Sequence, residues 1–228
     1  MVRRSPSSRP PLLPVLLLAF VLLLTGCLPT PTRGRAAPVR RVLVVGDSIS
    51  WGLFTTTPWV RDELAARLAS RRVQLRLVGG PAETPLLNWP GRARWVDDLR
   101  AEVANWDPDV VVLQTMLFPG ADDPALQDRY RAAVRELYDA AQARGAHVFR
   151  VQHHVPRGAT EARETFIAQA LQAQEADGRG IGVIPLDAAF ARCRRPFTAD
   201  GWHVSASGQR CHAAAITAQV DVLRRALG

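Results

Sequence analysis

Arg41-Val42-Leu43-Val44-Val45-Gly46-Asp47-Ser48-Ile49-Ser50 runs a short apolar segment straight into a glycine, an acid and a serine. The apolar part has strand length and β-branched character. The Gly-Asp-Ser that follows reads as a strand-to-loop turn, which can lift a hydroxyl out of a sheet with its own backbone N–H facing a substrate. Asp47 reads as a turn former whose carboxylate bonds local backbone. The fold turns on whether further strands of this kind follow, and what separates them.

Downstream, apolar runs of strand length recur at 73–79, 109–115, 146–152 and 181–186. Between them lie stretches of helical periodicity. Thr57-Pro58 predicts a helix start running to about Ser70, with Val60, Leu64 and Leu68 on one face. Asp123-Pro124 predicts another, carrying Leu126, Tyr130, Val134, Leu137 and Ala141 to a stop at Gly145. Further helices are expected at 92–105, 160–176 and 205–226. Strands separated by helices imply a mostly parallel five-stranded sheet covered on both faces, a three-layer α/β/α sandwich of flavodoxin-like type. Ligands in such folds bind outside the carboxyl ends of the strands, which places Ser48 in the binding crevice.

Upstream, the chain is of another kind. Arg3, Arg4 and Arg9 precede an apolar run from Leu12 to Leu24 that ends in Leu24-Thr25-Gly26-Cys27. A basic start, a short apolar run and small residues at a cleavage point describe an export signal over residues 1–26. The run contains Pro14 and falls short of the roughly 20 residues that span a bilayer. An uncleaved anchor, or a signal in which Cys27 is incidental, are the alternatives. Residues 27–39, rich in Pro, Thr and Arg, read as a tether, and 40–228 as the folded domain.

The formal charge of +8 falls to +5 without residues 1–26, which hold three arginines and no acid. All 29 basic residues are arginine, and no basic run interleaves with aromatics. The composition therefore argues against a nucleic-acid partner. Apart from Cys27 the cysteines are an even pair, Cys193 and Cys211. In an exported protein they are expected to form a disulfide, the alternative being two separate small buried side chains.

That pair brackets Asp200-Gly201-Trp202-His203. A serine hydroxyl attacks only when a base removes its proton, and the base works only when an acceptor holds its other nitrogen. Ser48, His203 and Asp200 can fill those three roles. This chemistry calls for no cofactor and no metal. His153 and His154 lack carboxylate or cysteine companions at ligand spacing, and adjacent strand-end residues point in different directions, so they read as solvated loop positions with substrate contact as the alternative. His147 and His212 read as structural.

Gly46-Asp47-Ser48 after the first strand, together with Asp200-Gly201-Trp202-His203 and Ser207-Gly208, resembles the SGNH, or GDSL-type, hydrolases. The resemblance spans about residues 40 to 226, with Pro108 to Leu113 as the central strand. It implies Ser48 as nucleophile, His203 as general base and Asp200 as its orienting carboxylate. It also implies an oxyanion hole built from the Ser48 N–H, a glycine N–H after the second strand and an asparagine after the third. Here the second loop reads Val78-Gly79-Gly80-Pro81-Ala82, aligning Gly80 or Ala82 with that glycine. The third block, Leu113-Gln114-Thr115-Met116-Leu117-Phe118-Pro119, has no asparagine, leaving Gln114 or Asn88 as substitute donors. The Leu-Thr-Gly-Cys ending resembles the bacterial lipobox, which implies lipid on Cys27, membrane attachment and an extracytoplasmic location.

Trp51 and Trp202 stand beside the two motifs, where flat apolar rings suit sugar stacking or core filling; Trp59 and Trp106 are assigned to the core. The resulting expectation is a lipid-anchored ester hydrolase acting on acyl or acetyl esters of a carbohydrate or small molecule. Acyl transfer to an envelope glycan, or glycan binding without catalysis, are the alternatives.

Overall fold

β1 (Arg41–Gly46) lies second in a five-stranded sheet. The computed structural model describes residues 38–46, 60–79, 92–114, 123–155, 158–199, 201 and 203–227, all within a unit spanning Ala37–Gly228. Along the chain β1 is followed by α1 (Val60–Ala69), β2 (Gln74–Gly79), α2 (Arg92–Trp106), β3 (Val110–Gln114), α3 (Pro124–Gln142) and β4 (His147–Gln152). Then come α4 (Ala159–Ala176), β5 (Gly182–Pro185), α5 (Leu186–Phe190) and α6 (Ala206–Leu227). The spatial order is β2-β1-β3-β4-β5, and every pairing is parallel. This is the expected architecture. The end of the predicted fifth strand departs from it, since Leu186 opens the short α5 instead of extending β5.

Period-two alternation distributes β1 and β3 between two cores. Leu43, Val45, Val111 and Leu113 pack under α2, α3 and α4, beside Leu99, Val134 and Leu171. Val42, Val44, Val110 and Val112 pack on the other face, under α1, α5 and α6, beside Leu64, Leu186 and Ile216. Both faces of the central strands are thus covered, which is why they carry no polar alternation. Truncating fully buried Leu43 or Leu99 to alanine costs about 2–5 kcal/mol.

The local signals for α3 act as expected. Asp123 accepts the Ala125 N–H at 2.9 Å with Pro124 in the first turn. At the other end Gly145 adopts φ +79° and donates its N–H to the Gln142 carbonyl at 2.9 Å. The Thr57-Pro58 start predicted for α1 lies outside the described residues. Across α1 and α6, Arg71 Nε donates to Asp221 Oδ1 at 2.8 Å, and that bond holds the Asp221 carboxyl below its ordinary range. Trp106 is partly buried against the first core, with the Arg76 guanidinium 4.9 Å above its ring.

Candidate active site

Parallel strands end on one side, so β1, β2 and β3 finish together. Gly46 stands opposite Gly79 on one flank and opposite Gln114 on the other. The chain moves outward from β1 to β2 and then crosses back to β3, so the order reverses at β1 and β3, the place where such sheets bind ligands. Asp47-Ser48 continues directly from Gly46, and Gly80 from Gly79. Ser48, Trp51, Gly80, Ala82, Asn88, Asp200 and Trp202 lie outside the described residues, as does Cys27. Of the expected site, Gln114, His203, Cys193 and Cys211 are described.

Gln114 is fully buried. Its position in β3 puts it on the same face as Val110 and Val112, toward α6, and neither its carbonyl nor its amide nitrogen has a hydrogen-bond partner among the described residues. An unpartnered buried amide costs about 1–3 kcal/mol, so a side chain in this state at a strand end marks a place where a polar group is used.

His203 sits half-buried on the loop between α5 and α6. The loop is tied at several points. The His203 carbonyl accepts the Thr198 N–H at 2.8 Å and the Thr198 hydroxyl at 3.1 Å, and Phe197 bridges Val204 in antiparallel fashion. Gly201, at φ +70°, closes the turn by donating to the Thr198 carbonyl at 3.0 Å. Val204 is buried in the same core as Val44 and Val112, which seats the residue after His203 on the face that carries Gln114. Ser205 caps α6, accepting the Gly208 N–H at 3.1 Å while donating its hydroxyl to the Arg195 carbonyl at 2.6 Å. Gly208 lies so close that an added Cβ would run into the Pro196 carbonyl. Cys193 and Cys211 form the expected disulfide, with their Cα atoms 6.5 Å apart.

Beneath the loop the sequence reading needs correcting. His153 and His154, expected on a solvated loop, are 1% and 3% exposed. The reason is tertiary: the end of β4 is roofed by Phe190 of α5 and Phe197 of the His203 loop. The His154 ring lies 4.1 Å from Phe197 and 5.5 Å from Phe190, and Phe190 stands edge-on to His212 at 6.2 Å. Burial, reinforced by His212 and His154, holds the His153 imidazole well below its ordinary pKa. Burial first, then His154, lowers His212 to about 3. His147 is exposed at the start of β4.

One residue of this layer, Gln209, escaped the sequence reading, whereas His212 is buried in keeping with its structural reading. Both lie on α6 in the stripe that continues through Ala213, Ile216 and Val220. A polar residue at the N-terminal end of an apolar helical stripe was the available signal.

No protein-family model matches the chain, and no curated protein matches it. Among solved structures the chain is similar to a protein described as an SGNH hydrolase from Slackia heliotrinireducens, at 22% identity and a TM-score of 0.61 over 79% of this chain and 98% of that one. The chain has the SGNH-hydrolase fold. A Clostridium thermocellum family 3 carbohydrate esterase is similar at 18% identity and a TM-score of 0.57, over 83% of this chain and 99% of that one. An acetylxylan esterase from Geobacillus stearothermophilus is similar at 16% identity and a TM-score of 0.57, over 82% and 96%. The five-stranded parallel sheet with its helices agrees with that fold, as the sequence led us to expect.

Proposed function

We propose that this chain is a serine ester hydrolase, exported and lipid-anchored through Cys27, acting on acyl or acetyl esters of a carbohydrate or small molecule. The observation that carries the reading is the carboxyl edge of the sheet. There Gly46, which leads into Ser48, pairs with Gln114, and the loop bearing His203 is rooted on the same face of the sheet through Val204. In this reading Ser48 Oγ attacks the ester carbonyl carbon while the His203 imidazole takes its proton, oriented by Asp200. The tetrahedral oxyanion is held by the Ser48 N–H, by the N–H of Gly80 or Ala82, and by the Gln114 amide. The imidazolium returns its proton to the leaving alcohol. Water then adds to the acyl carbon as His203 takes its proton, and the Ser48 Oγ–acyl bond breaks with return of that proton to Oγ, releasing the acid and the free enzyme. The same reading gives Trp51 and Trp202, which neighbour the two motifs in sequence, the role of stacking faces for a sugar ring. The carbohydrate esterases among the similar folds support that substrate class.

A fluorophosphonate probe tests the reading, since it reacts only with an activated serine. The native chain should be labelled on the peptide containing Ser48, Ser48→Ala should not, and His203→Ala should react far more slowly at unchanged thermal stability. Folded protein that resists the probe would overturn the enzyme reading and leave glycan binding. A labelled enzyme that passes its acyl group to an added carbohydrate faster than to water would be an acyltransferase. Intact mass of the N-terminal peptide tests lipid on Cys27 separately.

A further inference from the structure

At the end of the sheet opposite the candidate active site, Pro38, Arg40, Arg41, Arg72, Gln74 and Asp109 line a cavity of about 550 Å³. We propose that this cavity is an anion site that seats the phosphodiester headgroup of an anionic phospholipid. The proposal rests on the lipid anchor at Cys27 set out above.

Arginines near the amino edge of a parallel sheet have an ordinary task, because the helices there present their unsatisfied C-terminal carbonyls. Arg41 and Arg71 perform it. Arg41 donates to the Trp106 carbonyl at the end of α2 at 2.5 Å and to Asp107 at 3.2 Å. Arg71 donates to the Arg67 carbonyl in α1 at 2.9 Å, besides its bond to Asp221. The local acids are largely occupied as well. Asp109 Oδ2 accepts the backbone N–H groups of both Arg40 and Arg41 at 2.8 Å, and Asp107 serves Arg41 and Arg144.

Arg40 and Arg72 are surplus to these needs. Both residues are exposed, both line the cavity, and neither guanidinium has a hydrogen bond or ion pair among the described residues. Two uncommitted guanidinium groups around one concavity match a phosphodiester, whose oxygens accept from planar N–H pairs.

Chain connectivity selects the lipid over a free anion. The described domain begins at Pro38, on the cavity rim, directly after the tether in sequence. The residues from Cys27 to Ala37 reach at most roughly 35–40 Å when fully extended. A domain held that close meets the bilayer with the rim from which its tether leaves, and basic residues there are drawn to anionic headgroups. The strands then point away from the membrane, and the carboxyl edge with its candidate nucleophile faces outward.

The test is a phenylglyoxal footprint of the full chain, read by mass spectrometry at Arg40 and Arg72, with Arg100 as internal reference. The chain is examined on phosphatidylcholine vesicles, on mixed phosphatidylglycerol–phosphatidylcholine vesicles, and on phosphatidylcholine vesicles with added inorganic phosphate. On the anionic vesicles alone, Arg40 and Arg72 should be protected by about fivefold or more, the equivalent of one arginine's attraction to an anionic surface. In Arg40→Glu, Arg72 should lose that protection, and the reverse should hold for Arg72→Glu. Equal reactivity on both vesicle types overturns the proposal. Protection by inorganic phosphate as strong as that by anionic vesicles overturns the lipid assignment. The mass of the Cys27 peptide in the same digest reports the anchor independently, so a missing lipid and an empty anion site give different results.

Discussion

The imidazole of His154 lies 4.1 Å from the ring of Phe197, tilted 32° to it, and Phe197 is bridged to Val204, the residue after His203. The proposed base is therefore held from below by a residue at the end of β4. His154→Ala should lower kcat by about tenfold or more with little change in KM, because a small displacement of the base costs far more than the contact itself. His154→Phe, which keeps a flat ring, should recover most of the loss. Steady-state kinetics on a chromogenic acetyl ester would check both.

The disulfide closes a loop that contains the base. Cys193 and Cys211 are 18 residues apart, and a closed loop of that size contributes about 3 kcal/mol through the unfolded chain. Cys193→Ala with Cys211→Ala should lower the midpoint of chemical denaturation accordingly. In native buffer it should also increase amide exchange between Arg194 and Ser205 more than in β1 or β3.

Gln114 separates a structural role from a catalytic one. Gln114→Leu removes a buried amide that has no partner among the described residues and should leave stability unchanged or raised by about 1 kcal/mol. If its amide is an oxyanion donor, turnover should fall about 10²–10³-fold. Thermal unfolding and kcat on the same preparation give the two readouts.

His153 and His212 are buried with depressed pKa values, so the unfolded chain binds protons that the fold excludes. Their contribution to stability is complete above the unfolded histidine value of about 6.5. It is lost as pH falls below that, at roughly 1.4 kcal/mol per pH unit for each, down to about 3 for His212. Denaturation midpoints measured between neutral pH and pH 5 should fall steeply in the native protein. His212→Phe should flatten the slope.

The repeated spacing of Val, Leu and Ile runs with helical stretches carried the sheet and its parallel sense, because strand and helix periods are local properties of the chain. The two end motifs carried the SGNH-type reading in the same way, and Asp123-Pro124 and Gly145 marked the limits of α3. What sequence did not reveal was the burial of His153 and His154, since nothing within a few residues of a strand end says whether a loop from forty residues later will cover it. The same holds for Gln114. That a glutamine ends β3 was legible, but its full burial on the face that carries Val204 depends on the register of β3 beside β1 and on the packing of α6.

The opening stretch, Arg41 to Ser50, by itself determined that a buried strand ends at Gly46 with an acid and a serine next in sequence. Only the tertiary structure decided what surrounds the end of that strand: Gly79 on one side, Gln114 on the other, and the His203 loop rooted on the face above. Hydrophobic periodicity is written in neighbouring residues, whereas strand order, register and the roofing of strand ends are settled by contacts between segments far apart in the chain.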